Sequence, residues 1–162
     1  MERILVIGIG RMERGDDAAG RLVVRALAGR LPPVIELREE TGEAAHLLEC
    51  MAGRTVAHLV DACRSGAEPG TIRRFDVSAA PLPRRDFELS THGLGLVEAI
   101  GLARALDQLP RRCLVHAIEG ECFDLGAPPS PRVAAAIEEL ARRLEAELTA
   151  GGKADARNRS GS

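Results

Sequence analysis

The sequence predicts an α/β fold, a three-layer α/β/α domain built on a mostly parallel five-stranded sheet. Three observations predict it. Compact apolar runs alternate with amphipathic helical patterns along the chain. That order calls for right-handed crossovers that cover both faces of the sheet. The length of 162 residues fits one ordinary domain with a sizeable core.

Residues 3–8, built on Ile4-Leu5-Val6-Ile7 and closed by Gly8, read as the first strand. Ala18, Leu22, Val23 and Leu27 recur at near-helical spacing, so a loop and then a helix over 17–30 follow. Pro32-Pro33 stops that helix, Val34-Ile35-Glu36-Leu37 reads as a second strand, and residues 42–51 form a second helix through Ala45, Leu47, Leu48 and Met51. Residues 55–60 are a third strand running into Asp61, and residues 71–77 alternate apolar and basic side chains as an edge or half-exposed strand does. A loop at 78–90 containing Pro and Arg precedes a helix over 92–106, with Leu94, Val97, Ala99, Ile100 and Ala103 at helical spacing. Residues 113–118 are the last apolar strand. Pro128-Pro129-Ser130-Pro131 then introduces a helix over 133–148, with Ile137, Leu140, Leu144 and Leu148 on one face and Glu and Arg on the other. From Gly151 the chain is polar and lacks apolar periodicity, so residues 1–150 are expected to form one domain and 151–162 a disordered tail.

Twenty-two Lys and Arg stand against 24 Asp and Glu, a formal net charge of −2 with the basic residues scattered, which points away from nucleic acid. There is no Trp or Tyr and only three Phe, so the core rests on Leu, Val, Ile and Ala, and stacking platforms for single-stranded nucleic acid are missing. The N-terminus enters a strand-like run directly, and no segment reaches the ~18 uninterrupted apolar residues of a membrane span. A soluble cytoplasmic protein without a membrane partner is expected. Cys50, Cys63, Cys113 and Cys122 show neither a C-x-x-C pair nor zinc-finger spacing and read as reduced thiols.

In open α/β sheets ligands bind beyond the carboxyl ends of the strands, and those positions are polar in this chain. The first strand delivers Gly8-Ile9-Gly10 and then Asp16-Asp17, the third ends in Asp61-Ala62-Cys63, and the loop before the third helix offers Ser90-Thr91-His92-Gly93. A dinucleotide fingerprint fails, because Glu13 stands where G-x-G-x-x-G needs its third Gly and its charge opposes a pyrophosphate. Two carboxylates and an imidazole on one rim suit a divalent transition metal such as nickel or zinc, with coordination positions left open. Asp17 also fits ordinary helix-start dipole compensation, Asp61 a turn, and Cys63 a small buried side chain. His46, His58 and His116 read as structural.

The stretches GIGRMERGDDAAG, HLVDACRSG and STHGLGL, in that order and followed by IEGECFDLGAPPSPRV, resemble the signatures of the NiFe-hydrogenase maturation endopeptidases. The resemblance implies a twisted five-stranded sheet between helices. It also implies a metal-dependent endopeptidase that removes the C-terminal extension of a hydrogenase large-subunit precursor after nickel insertion. By resemblance Asp17, Asp61 and His92 bind that nickel, which the precursor itself supplies, and are the catalytic set; Asp16 is placed to substitute for Asp17 or to support it. The chain departs from the family pattern at Arg11, where Asn is usual, and at Ala18, where Gly is usual. A non-catalytic nickel-dependent checkpoint or chaperone for the same precursor is the alternative. A thiol protease using Cys63 and His92 is a third reading.

Overall fold

The computed structural model describes the backbone of residues 2–87 and 93–159. Ser90, Thr91 and His92 lie outside the described residues. Five strands form one sheet: β1 (Ile4–Ile9), β2 (Glu36–Glu40), β3 (Val56–Cys63), β4 (Ile72–Asp76) and β5 (Arg112–Glu119), in the order β2-β1-β3-β5-β4. β1 pairs in parallel with β2 and β3, and β3 pairs in parallel with β5, whereas β4 runs antiparallel to β5. The β1, β3 and β5 strands therefore end at the same edge.

The period of two along buried strands builds both layers of core. Leu5, Ile7 and Ile9 join Leu59, Val115 and Ala117 on the face covered by α2 (Ala44–Met51) and α3 (Gly93–Ala105), through Leu47, Met51, Leu96 and Ile100. Val6, Val60, Ala62 and Ile118 point the other way, to α1 (Ala19–Leu27) and α4 (Pro131–Arg159), against Val23, Leu27, Leu140 and Leu144. Each fully buried aliphatic side chain contributes roughly 1.5–3 kcal/mol relative to exposure. A core without Trp or Tyr is thus built from many such contributions.

Three element boundaries differ from expectation. β2 lies further along the chain than the apolar segment at 34–37, because its register with β1 runs from Leu5↔Glu36 to Ile9↔Glu40, while Val34 is 61% exposed. As an edge strand β2 tolerates charge: Glu39 accepts hydrogen bonds from Arg21 Nε at 3.0 Å and Arg25 Nε at 2.9 Å. β3 continues past Val60 through Asp61 to Cys63, because β5 extends beside it to Glu119 and supplies ladder partners. α4 continues to Arg159, beyond Gly151, where a structureless tail was expected; Lys153, Ala154, Ala156 and Arg157 are favourable helix formers and no Pro interrupts them. Among the described residues no helix is long and apolar enough to cross a membrane.

Candidate active site at the C-terminal edge of the sheet

β1 hands over to a loop at Gly10, whose N–H donates to the Glu40 carbonyl at 3.0 Å. The loop enters a 3-10 turn over Gly15–Ala18 that leads directly into α1. Gly15 adopts a left-handed φ of 55°, and a Cβ there would stand 2.5 Å from the Cys122 carbonyl oxygen. Close backbone approach then draws the turn onto the sheet. A Cβ at Gly8 would overlap the Gly20 carbonyl, one at Gly20 would overlap the carbonyls of Val60 and Ile9, and one at Gly10 that of Asp17. Gly8 and Gly10 thus serve close approach, and the start of α1 rests on the ends of β1 and β3.

This packing brings together the segments that carry Asp17 and Asp61, since the 3-10 turn touches β3. Both residues are buried, at 1% and 0% exposure, with their Oδ2 atoms shielded from solvent. Asp61 Oδ1 accepts a hydrogen bond from the Ala62 N–H at 2.8 Å. Burying carboxylates is costly without compensation. The two lie at the edge where α/β sheets bind ligands. Two hard oxygen donors suit a divalent cation. Among the described residues no group of three or more Asp, Glu, His or Cys side chains is assembled that could hold a metal ion. The predicted third member, His92, lies outside the described residues.

Asp16 is chemically identical to Asp17 and has a different occupation. Its Oδ2 accepts from the N–H groups of Glu121 at 2.8 Å and Cys122 at 2.9 Å, and its Oδ1 from the Ser130 N–H at 2.6 Å. The Ser130 hydroxyl bonds it as well, at 3.0 and 2.9 Å from the two oxygens. With its lone pairs committed to the main chain, Asp16 is unsuited to substitute for Asp17 and acts as an anchor for the loop between β5 and α4.

Glu119, at the end of β5 and 1% exposed, carries no motif in the sequence. Its carboxylate accepts from Ser65 N–H at 2.8 and 3.1 Å, Ser65 hydroxyl at 2.8 Å and Gly66 N–H at 3.0 Å. The only local hint is that an apolar strand ends on an acid, and its partners lie more than fifty residues away. Cys63 donates its thiol to Glu119 Oε2 at 3.2 Å and is fully buried. Burial first, and then Glu119, push that thiol far above the ordinary thiol range, which disfavours the thiolate a Cys63 nucleophile requires. Arg11 is exposed to solvent.

The remaining histidines follow the structural expectation. His58 and His116 are 2% and 3% exposed, lie on neighbouring strands and share a hydrogen bond, Nδ1 to Nε2, of 2.9 Å. Burial pushes His58 down to about 4 and His116 to about 3, with Arg74 acting in the same direction. His46 is on the surface beside Glu43.

Known proteins share this arrangement of chain. A family model described as hydrogenase maturation protease matches residues 32–147. The hydrogenase 2 maturation protease of Escherichia coli K12 is 29% identical over 153 residues, covering 93% of each chain. The hydrogenase expression/formation protein HupD of Rhodobacter capsulatus is 29% identical over 160 residues, 93% of this chain and 76% of the relative. The solved structure of the E. coli hydrogenase maturating endopeptidase HybD superposes with a TM-score of 0.80 at 29% identity, covering 93% of this chain and 94% of that one. The crystal structure of the maturation protease HycI from Thermococcus kodakarensis superposes with a TM-score of 0.72 at 27% identity, covering 91% and 92%. With a sheet of the same architecture and a family match over most of its length, the chain belongs to the hydrogenase maturation proteases, hydrolases that cleave peptide bonds.

Proposed function

We propose that this protease is guided by nickel and removes the C-terminal extension of a NiFe-hydrogenase large-subunit precursor. The observation that supports this reading most is the burial of Asp17 and Asp61 on two segments that glycine contacts press together at the ligand-binding edge of the sheet. Nickel is part of the substrate in this scheme, carried in by the precursor. Asp17 and Asp61 engage it together with His92, and that engagement fixes where the adjoining peptide lies, so that one bond is presented for hydrolysis. Water adds across that bond: the C–N bond breaks, the carbonyl carbon takes the hydroxyl and the released nitrogen takes the proton. The nickel thereby measures the cleavage position and restricts cleavage to loaded precursor.

The test is the intact mass of nickel-loaded and nickel-free precursor after incubation with wild type and with Asp17→Asn, Asp61→Asn, His92→Ala and Cys63→Ala variants. The expected result is loss of a C-terminal peptide from the loaded precursor only, with wild type and Cys63→Ala alone. Binding of the loaded precursor without any change of mass overturns the proposal and leaves a nickel-dependent checkpoint. Cleavage lost in Cys63→Ala and kept in Asp17→Asn points to a thiol protease.

A further inference from the structure

We propose that Asp16 and Glu119 are positioning residues, which hold the segments bearing Asp17 and Asp61 in a fixed relation by strapping one to the loop at 120–130 and the other to the end of β5 from which that loop leaves. The inference rests on the reading of Asp17 and Asp61 as the groups that engage nickel. Asp16 and Glu119 are each 1% exposed or less, and all of their hydrogen-bond partners described above come from the loops at this edge or from Cys63.

The strap is tied on both sides. Toward Asp17, Gly15 N–H donates to the Ala127 carbonyl at 3.0 Å, Asp16 N–H to that of Cys122 at 2.8 Å, and Gly126 N–H to that of Glu13 at 2.7 Å. Asp16 closes the same connection with its side chain, through Glu121, Cys122 and Ser130. Toward Asp61, Gly120 N–H donates to the Cys63 carbonyl at 3.0 Å, and the neighbouring Glu119 gathers Cys63, Ser65 and Gly66. A continuous hydrogen-bonded path therefore joins the residue before Asp17 to the residues after Asp61. A carboxylate suits both knots because it only accepts, and every group aimed at it is a donor. An amide in its place turns one acceptor oxygen into an NH2 that faces N–H groups. Groups of this kind, which orient the residues that touch a metal, typically change metal affinity about 10–100-fold when altered.

The experiment measures Kd for nickel-loaded and nickel-free precursor, kcat at saturating loaded precursor, and Tm. Asp16→Asn and Glu119→Gln are expected to reduce the nickel-dependent gain in precursor affinity about 10–100-fold and to lower kcat, while leaving the affinity for nickel-free precursor unchanged. Leu144→Ala, on the buried face of α4, lowers Tm and leaves the nickel-dependent gain intact. Ser130→Ala keeps Asp16 and removes one donor, so it reports even if the amide variants do not fold; about a fivefold smaller nickel-dependent gain is expected. If Asp16→Asn, Glu119→Gln and Ser130→Ala lower Tm like Leu144→Ala but keep the gain and kcat, the residues are merely structural and the proposal is overturned. If Asp17→Asn and Asp61→Asn keep the gain, the underlying nickel reading fails and takes this proposal with it.

Discussion

At the C-terminal edge of the sheet, the buried carboxylates of Asp16 and Glu119 are satisfied largely by main-chain N–H groups, whereas in the sheet interior the buried histidines His58 and His116 satisfy each other. The difference follows from the ladder. Within β3 and β5 the backbone donors are engaged with neighbouring strands, so a polar side chain there must find another side chain. Where strands end, loops carry spare N–H groups that can surround an anion. The edge can therefore bury carboxylates whose oxygens are held by main-chain donors. The interior instead accepts polar groups that stay neutral.

This contrast predicts its largest effect at the edge. Asp17→Asn and Asp61→Asn are each expected to slow cleavage of nickel-loaded precursor about 10²–10³-fold, the scale on which removal of one preorganised electrostatic group acts, measured by the rate of peptide release. Asp16→Ala comes next. It strips acceptors from three main-chain donors and is expected to cost about 2–3 kcal/mol in denaturant unfolding.

The interior pair responds to pH. His58 and His116 titrate at about 4 and about 3 in the fold against an ordinary 6.5, so between these values the unfolded chain binds more protons. Their contribution is complete above about 6.5 and falls away as the pH drops toward 4 and 3. The charged groups around them are Arg74 of β4, Arg112 of β5 and Glu147 of α4, with Arg74 and Glu147 joined at 3.0 and 2.8 Å. A His58→Leu/His116→Leu variant is expected to lose less stability than wild type between pH 7 and pH 4.5, by up to about 5 kcal/mol for the two groups together, read from unfolding midpoints at the two values. The smallest effect belongs to the solvated face of α4. Arg143→Ala, which breaks an exposed 3.0 Å pair with Glu139, should change stability by less than about 0.5 kcal/mol by the same measurement.

Much of this molecule is legible in its sequence where local pattern decides. The apolar runs of β1 and β5, the half-exposed alternation of β4 and the striped face of α4 are all local. Features decided by distant partners are not legible. β2 follows the register imposed by β1 rather than the apolarity of 34–37. The separate fates of Asp16 and Asp17 depend on a loop more than a hundred residues away. His58 meets His116 only because β3 and β5 pair as they do, with His116 opposite Val60.

Direct engagement of nickel by Asp17 and Asp61 is tested by the nickel absorption-edge spectrum of loaded precursor, alone and in complex with this protease or its Asp17→Asn and Asp61→Asn variants. Direct engagement predicts that the wild-type complex gains oxygen donors at nickel and that each variant loses part of that gain. A coordination sphere unchanged on complex formation would show that neither carboxylate touches the nickel.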